Sequence, residues 1–360
     1  MWQDLEVTLE KVAPENLKAK PEADNLTFGR DFTDHMFMMT WTRENGWHEA
    51  KICPYHQFTL SPAAMVFHYG QAIFEGMKGY KGEDGQIYMF RPTDNLERMN
   101  KSAVRMCMPR IPVDKVLKVM KALLYLEKDW IPEAEGASLY IRPAMIGVEP
   151  TLGVKPSDKY YFYVIMSPVG AYYAEGFNPT KIYVSDEHVR AVRGGVGNVK
   201  TAGNYAASLF TQQIATKKGY TQVLWLDAHE FKYVEEVGTS NIFFKIGDEL
   251  ITPPLEGSIL DGITRDSVMK IAESWGIKVV ERKISIDEVI DANKSGSLTE
   301  AFGTGTAAVI SPIGEVMYKD EVHIINGAKI GELSQKIFDH IQGIQNGAIE
   351  DSFKWVVRVG

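Results

Sequence analysis

Residues 190–209 read RAVRGGVGNVKTAGNYAASL, in which three glycines precede a single lysine and a helix-like run follows. Gly194, Gly195 and Gly197 can adopt backbone conformations closed to other residues, so the stretch predicts a tight loop that ends at Lys200. A lysine confined there and poorly hydrated can lose its proton near neutral pH and attack a carbonyl carbon. Taken alone, the pattern also fits a surface lysine in a flexible loop.

The composition is that of an ordinary globular protein. At 360 residues, 45% of them hydrophobic, the chain is long enough for two domains or one large one. Its net charge of −8, without a Lys/Arg block, argues against a nucleic-acid or membrane partner. The two cysteines form no CxxC motif, the first residues do not resemble a signal peptide, and no apolar run approaches about 20 residues. We therefore expect a cytoplasmic location.

Mixed strand and helix patterns predict an α+β fold rather than a doubly wound parallel sheet. Strand patterns fall at residues 86–90, 138–145, 160–166, 181–185, 221–226, 241–246, 278–284 and 307–310. Helical patterns fall at residues 94–106 with Asp94 as the N-cap, 115–130, 202–218, 264–275 and 329–344, and residues 285–288 fit a capping box. A Gly- and Pro-containing stretch at residues 170–180 predicts a loop between a smaller domain, residues 1–169, and a larger one, residues 181–360.

Two adjacent carboxylates, Glu235 and Glu236, lie in the segment YVEEVGTSNIFF. Strand alternation would turn one of them inward, where a carboxylate needs a partner. The protonated ring nitrogen of a pyridine-type cofactor is such a partner, because a carboxylate beside it keeps the ring cationic. The alternative is a solvated pair at a strand edge.

Two glycine-containing turns are candidates for binding a phosphate. The turn at residues 260–265 leads into a helix, and the first backbone N–H groups of a helix bind anions. The turn at residues 303–308 would add further backbone donors and the hydroxyl of Thr306. Arg98 could supply the positive charge, although its spacing also fits a surface arginine paired with Asp94.

Aromatic residues cluster in HYGQAIFEGMKGY, residues 68–80, and SLYIRPAM, residues 138–145. Most such residues belong to hydrophobic cores. Arg142 is different, because an arginine in an apolar strand needs a carboxylate, either within the protein or on a substrate. The eight histidines show no metal-binding spacing, and no GxSxG motif is present, so we expect neither a metal site nor a serine hydrolase.

In this order, the motifs resemble those of the branched-chain amino acid aminotransferases, which are pyridoxal-phosphate enzymes of fold type IV. The resemblance runs from FGRDFTDHMF, residues 28–37, to FGTGTAAVISPIGEV, residues 302–316. FRPTDNLERMNKSAVRMCMP, YIRPAMIGVEPTLGV, GNVKTAGNYAASL and EEVGTSNIFF fall between these ends. The resemblance implies a two-domain α+β fold like that of D-amino acid aminotransferases, with the cofactor between the domains.

The resemblance also implies residue roles. Lys200 would be the catalytic lysine that holds the cofactor as a Schiff base. The other cofactor ligands would be Arg98, Tyr205, Glu236, Ile263, Thr264 and Thr306. The substrate pocket would be formed by Phe28, Tyr69, Phe74, Tyr140, Arg142, Leu152, Val154, Tyr172, Thr239, Ala307 and Ala308. Arg142 would receive the second carboxylate of glutamate. The loop of Leu152 and Val154 would reach the neighbouring subunit of a homodimer.

The implied activity is a ping-pong transfer of the amino group between L-leucine, L-isoleucine or L-valine and 2-oxoglutarate. Some animal members carry a CxxC pair where this sequence has Ala308 and Ser311, so that redox switch should be absent; we expect Cys53 and Cys107 to be packing residues. A D-amino acid aminotransferase or a lyase of the same fold would share Lys200 and Glu236. A cofactor-free binding protein is the non-enzymatic alternative.

Overall fold

The computed structural model describes residues 6–22, 26–134, 136–170 and 177–360. The chain separates into two compact units. The first runs to residue 172 and includes Lys200–Ala202 and Gly343–Gly360, and the second consists of Tyr173–Val199 and Gly203–Gln342. The sequence had assigned residues up to 360 to the second domain. The last residues cluster with the first unit because their terminal strand, Val356–Val359, pairs antiparallel with Ile87–Phe90.

The elements of the described residues are numbered in chain order. The strands are β1 Val7–Leu9, β2 His35–Thr42, β3 Gly46–Pro54, β4 Ala72–Phe74, β5 Met77–Lys81, β6 Ile87–Phe90, β7 Ser138–Gly147, β8 Lys159–Val169, β9 Thr180–Ser185, β10 Gln222–Leu226, β11 Val234–Val237, β12 Asn241–Ile246, β13 Glu249–Thr252, β14 Lys278–Glu281, β15 Leu298–Gly305, β16 Val309–Tyr318, β17 Glu321–Ile324 and β18 Val356–Val359. The helices are α1 Met65–Tyr69, α2 Pro92–Arg105, α3 Val113–Leu126, α4 Ala202–Lys217, α5 Ile263–Ser274, α6 Ile286–Ser295 and α7 Glu332–Gln345. Short 3₁₀ helices cover Pro14–Asn16, Lys128–Trp130 and Asn326–Ala328.

The first unit is built on a sheet in the order β1-β3-β2-β8-β7-β5-β6-β18, with β4 added to β7. Successive side chains of a strand point to opposite faces of the sheet. Along β7, Leu139, Ile141 and Met145 belong to the hydrophobic core, which also contains apolar side chains of α2 and α3. Tyr140 and Arg142 therefore point to the opposite face, and this alternation separates the core of the unit from its candidate site.

The second unit contains a mixed sheet in the order β11-β10-β9-β16-β15-β12-β13-β14, with β17 added to β16. The β9·β10, β9·β16 and β13·β14 pairs are parallel, and the other pairs are antiparallel. Its core is formed by aliphatic and aromatic side chains of the strands and of α6, including Ile242, Phe244 and Ile286. The predicted α+β class is thus confirmed.

Several predicted element ends were wrong, each for a local reason. Asp94 is not the N-cap of α2, because Pro92 opens the helix after Arg91, which adopts a left-handed conformation. The helix expected at residues 115–130 ends at Leu126, and the buried Glu127 accepts hydrogen bonds from the backbone N–H groups of Asp34 and His35 at the start of β2. The strand expected at residues 307–310 begins at Val309, since residues 306–308 form the turn.

Other expectations were confirmed. One of the two hydrogen bonds of the capping box before α6 is present: the hydroxyl of Ser285 accepts the N–H of Glu288 at 3.0 Å. Cys53 is buried, as a packing residue should be, but Cys107 is exposed, so that expectation was wrong for Cys107. No helix among the described residues has both the length and the apolar character needed to cross a membrane.

Candidate active site

The glycine loop before Lys200 is held by specific contacts. A Cβ atom on Gly197 would lie 2.2 Å from the carbonyl oxygen of Ser258, so only glycine fits this close approach. Gly194 has a φ of +83°, in the left-handed region. The side-chain amide of Asn204 donates to the carbonyls of Val196 and Val199 at 2.8 and 2.9 Å. These contacts do not fit the flexible-loop alternative.

The main chain of Lys200 is anchored within the first unit. Its N–H donates to the hydroxyl of Ser102 at 3.0 Å, and its carbonyl accepts the N–H of Phe74 at 3.1 Å. The hydroxyl of Thr201 donates to the carbonyl of Ala72 at 2.8 Å. The Nζ atom of Lys200 lies 5.1 Å from the centroid of the Phe74 ring. The sequence therefore presents one half-buried amine from a fixed backbone beside an aromatic ring.

Arg142 lies among aromatic rings on the face of the first sheet that is opposite the core. Its Nη2 donates to the hydroxyl of Tyr140 at 3.0 Å, and its guanidinium carbon lies 4.7 Å from the centroid of the Phe74 ring. Phe28 packs edge-on against Tyr140, with 4.9 Å between ring centroids. Within the part of the chain that the structure describes, no carboxylate pairs with Arg142, and its buried Nε atom has no hydrogen-bond partner. The first of the two partners that the sequence allowed, a carboxylate within the protein, is therefore not found among the described residues.

Arg98 occupies a different setting from the surface pairing considered above. It is 7% exposed, and it forms a two-pronged ion pair with the fully buried Glu75, Nε to Oε1 and Nη2 to Oε2, both at 2.8 Å. Asp94 pairs instead with Arg91 at 2.6 Å, so the alternative reading of Arg98 was wrong. Such a fork fixes the plane and direction of the guanidinium.

In the second unit, Tyr205, Glu236 and Thr239 line one pocket. Glu236 is 3% exposed, and its Oε1 accepts from the side-chain amide of Asn241 at 3.1 Å and the N–H of Leu260 at 3.0 Å. Its Oε2 lies 2.6 Å from the Nε atom of Arg190. This network holds Glu236 as an oriented carboxylate. Strand alternation predicted that one of Glu235 and Glu236 faces inward, and Glu236 is the more buried of the two.

The two predicted phosphate turns are both present in the second unit. Ile263 and Thr264 are the first residues of α5, after the N-cap Gly262, so their N–H groups belong to the positive end of the helix. Thr306, Ala307 and Ala308 form the turn between β15 and β16. All three are half-buried.

The loop after β7 carries two exposed apolar side chains of the predicted substrate set. Leu152 is 65% exposed and Val154 85%. Lys155 holds the loop by ion pairs at 2.8 Å to Glu149 and 2.6 Å to Asp158, and the hydroxyl of Tyr69 donates to the carbonyl of Leu152. A braced loop that exposes apolar groups has the form of a contact surface. Tyr172, the remaining predicted pocket residue, lies outside the described residues.

The sequence did not predict the residues that orient the candidate cofactor ligands. Glu75, Arg190 and Asn241 each contact a candidate cofactor ligand. Only their residue types gave a signal: a glutamate in the apolar segment AIFEGM and an arginine opening the glycine loop. Buried charges require partners, but a single sequence does not identify which charges meet.

A family model described as amino-transferase class IV matches residues 72–316. The chain belongs to this family. It is similar to branched-chain-amino-acid aminotransferase 2 of Bacillus subtilis strain 168, with 56% identity over 342 residues that cover 95% of this chain and 94% of the relative. It is 52% identical to branched-chain-amino-acid transaminase 1 of the same organism, over 95% of this chain and 96% of that one.

Solved structures of other aminotransferases share the fold. The branched-chain amino acid aminotransferase of Escherichia coli matches with a TM-score of 0.75 and 26% identity, over 91% of this chain and 99% of that one. The branched-chain aminotransferase of the archaeon Thermoproteus uzoniensis, solved with norvaline, matches with a TM-score of 0.74 and 26% identity, over 90% and 100% of the two chains. Fold type IV is therefore the fold of this aminotransferase.

Proposed function

We propose that this aminotransferase moves the amino group between L-leucine, L-isoleucine or L-valine and 2-oxoglutarate, producing the branched-chain 2-oxo acid and L-glutamate. The observation that carries the proposal is Arg142, a guanidinium without a carboxylate partner among the described residues, held against Phe74 and Tyr140. Aromatic walls suit an aliphatic side chain, and the guanidinium suits the second carboxylate of glutamate. The names of the Bacillus subtilis relatives support the same substrates.

The cofactor of this family is pyridoxal 5′-phosphate, and the residues present fit it. Tyr205 and Glu236 line one pocket, which therefore offers a phenol to donate to a ring oxygen and a carboxylate to pair with a protonated ring nitrogen. The start of α5 offers backbone N–H groups for a phosphate, with Ile263 and Thr264 as the donors. Arg98 would supply the charge and Thr306 a hydroxyl.

When bound, pyridoxal phosphate supplies an aldehyde for the amino group and an electron-accepting ring. Lys200 Nζ would take the proton from the α-carbon of the donor amino acid, acting as a base. In the second half-reaction it would deliver a proton to the α-carbon of the acceptor oxo acid, acting as an acid. Glu236 would hold the ring proton, because a carboxylate oriented by Asn241, Leu260 and Arg190 stabilises a cation beside it. Glu75 would keep the guanidinium of Arg98 in place.

The substrate pocket would combine Phe28, Tyr69, Phe74, Tyr140, Arg142, Tyr172, Thr239, Ala307 and Ala308. A single methylene changes binding in an apolar pocket by only about 1–3 kcal/mol, so leucine, isoleucine and valine should all react. We place the enzyme in the cytoplasm as a homodimer, in which Leu152 and Val154 would contact the partner subunit. Their exposure on a braced loop supports this arrangement.

Replacing Lys200 with alanine tests the proposal. The Lys200→Ala protein should fold, lose transamination and lose the visible absorption band of the bound cofactor, whereas Lys217→Ala, an exposed lysine on α4, should keep both. Normal turnover by Lys200→Ala would end the assignment. Comparing L-leucine with D-leucine as donors separates the proposed activity from a D-amino acid aminotransferase of the same fold.

A further inference from the structure

The second unit contains a cavity that the catalytic proposal does not use. It is open to solvent and is lined by Glu235, Ser258, Arg193, Lys283, Tyr233 and Pro254, among others. Glu235 and Glu236 are neighbours on β11, so their side chains leave opposite faces of the strand. Glu236 lines the candidate cofactor pocket, and Glu235 lines this second cavity.

Only one of the two carboxylate oxygens of Glu235 accepts a hydrogen bond among the described residues. Its Oε1 accepts a hydrogen bond from the hydroxyl of Ser258, but its Oε2 is buried and has no hydrogen-bond partner among the described residues. Burial raises the pKa of the Glu235 carboxyl above its ordinary value. A buried acceptor without a donor costs free energy, and a donor brought in by a ligand would remove that cost.

The remainder of the cavity offers positive charge and apolar surface. Arg193 is exposed, and Lys283 is ion-paired at 3.1 Å with Glu256, which also lines the cavity, and lies 5.4 Å from the centroid of the Tyr233 ring. Pro253, Pro254 and Ile259 contribute apolar wall. An ammonium would complement Glu235, a carboxylate would complement Arg193, and an apolar part would pack against the prolines.

One wall of the cavity is preformed. Asp227 accepts four backbone N–H groups of the turn that follows it, those of His229, Glu230, Lys232 and Tyr233, at 2.8–3.1 Å. Because these bonds already fix the turn, a ligand would not need to order it, which favours binding.

We propose that this cavity binds a small α-amino acid with an apolar side chain, with its ammonium at Glu235 and its carboxylate toward Arg193. The site is connected to the candidate cofactor pocket through Ser258. The hydroxyl of Ser258 donates to Glu235, and its carbonyl accepts from Arg190, the ion-pair partner of Glu236. Ser258 therefore joins Glu235 to the Arg190–Glu236 ion pair through two hydrogen bonds.

The test is isothermal titration calorimetry of the holoenzyme with N-methyl-L-leucine. This probe keeps the ammonium, the carboxylate and the isobutyl group, but its secondary amine does not form a neutral imine with an aldehyde. We expect one site per chain, with binding at least tenfold weaker in Glu235→Gln and in Arg193→Ala. Glu273→Gln, an exposed glutamate of α5 outside the cavity, should bind like the parent protein.

Three results would overturn the proposal: no binding up to about 10 mM probe, equal binding in all variants, or loss of binding when a saturating branched-chain 2-oxo acid occupies the active site. Glu235→Gln keeps the size of the side chain, and thermal unfolding checks its fold. If that variant does not fold, Arg193→Ala carries the test, because Arg193 is exposed. The readout is heat of binding, so it stands or falls separately from the transaminase activity.

Discussion

Replacing Arg142 with alanine should impair the reaction of glutamate and 2-oxoglutarate much more than that of leucine. The guanidinium of Arg142 bonds only to the hydroxyl of Tyr140 among the described hydrogen bonds and lies over the rings of Phe74 and Tyr140 at 4.7 and 5.2 Å. Because no carboxylate of the described residues pairs with it, its charge is available to a dicarboxylate substrate. Leucine has no second carboxylate and does not need that charge.

The size of the effect follows from these contacts. A hydrogen bond to a charged group contributes about 1.5–3 kcal/mol, which at about 1.4 kcal/mol per factor of ten is roughly a 10- to 150-fold loss in kcat/KM for glutamate. Leucine should lose only what the altered packing of the aromatic rings removes, about 0.5–1 kcal/mol or two- to fivefold. The ratio between the two losses, rather than either alone, reports the role of Arg142.

Single-turnover half-reactions with glutamate and with leucine, followed by the absorption of the bound cofactor, measure both losses in one preparation. Arg110→Ala is the matched control, because Arg110 is 64% exposed and lies 3.9 Å from Glu97 in a weak surface pair. Equal losses for glutamate and leucine in Arg142→Ala would refute the reasoning and make Arg142 a structural residue.

Two further predictions concern buried charges of the first unit. Glu75→Gln should lower the free energy of unfolding by about 3 kcal/mol in urea denaturation, because it leaves the buried guanidinium of Arg98 uncompensated. The surface variant Glu97→Gln is the control and should not lower it. An unchanged urea midpoint for Glu75→Gln would contradict this prediction. Burial lowers the pKa of Lys78 from 10.5 to about 8, so the unfolded chain binds more protons between these values and stability should rise with pH across that window. Lys78→Met should abolish that rise in urea denaturation series at pH 8 and pH 10, and a slope that survives the substitution would assign it to other groups.

The sequence predicted the parts of the fold that follow from local pattern. The alternation of β7 and β8 was readable, because one face of each strand is apolar and the other is not. The same period predicted that one of Glu235 and Glu236 turns inward, but it did not say which. The division of the chain was less readable: β18 joins β6 across more than 260 residues, and nothing local in the VVRV of β18 specifies that partner.

The sequence allowed candidate site residues to be named, but not their supporting contacts. Lys200, Glu236 and Arg142 could be selected because each is a charged residue, costly to bury, in a glycine-rich loop or an apolar strand. Glu75 and Arg190 could not be assigned as partners, because their contacts with Arg98 and Glu236 span 23 and 46 positions and depend on tertiary packing. The choice between Asp94 and Glu75 as the partner of Arg98 required coordinates.

The pairing of β18 with β6 has a consequence for biosynthesis. Val356 lies opposite Phe90, so the edge of the first sheet stays open until the last strand leaves the ribosome. At about 5–20 residues per second, that interval lasts on the order of 10–50 s. During it, Phe90 and Arg91 lack the indole of Trp355 that later covers them. The open edge of β6 can mispair during that interval, and a chaperone that shields β6 would act before β18 is synthesised.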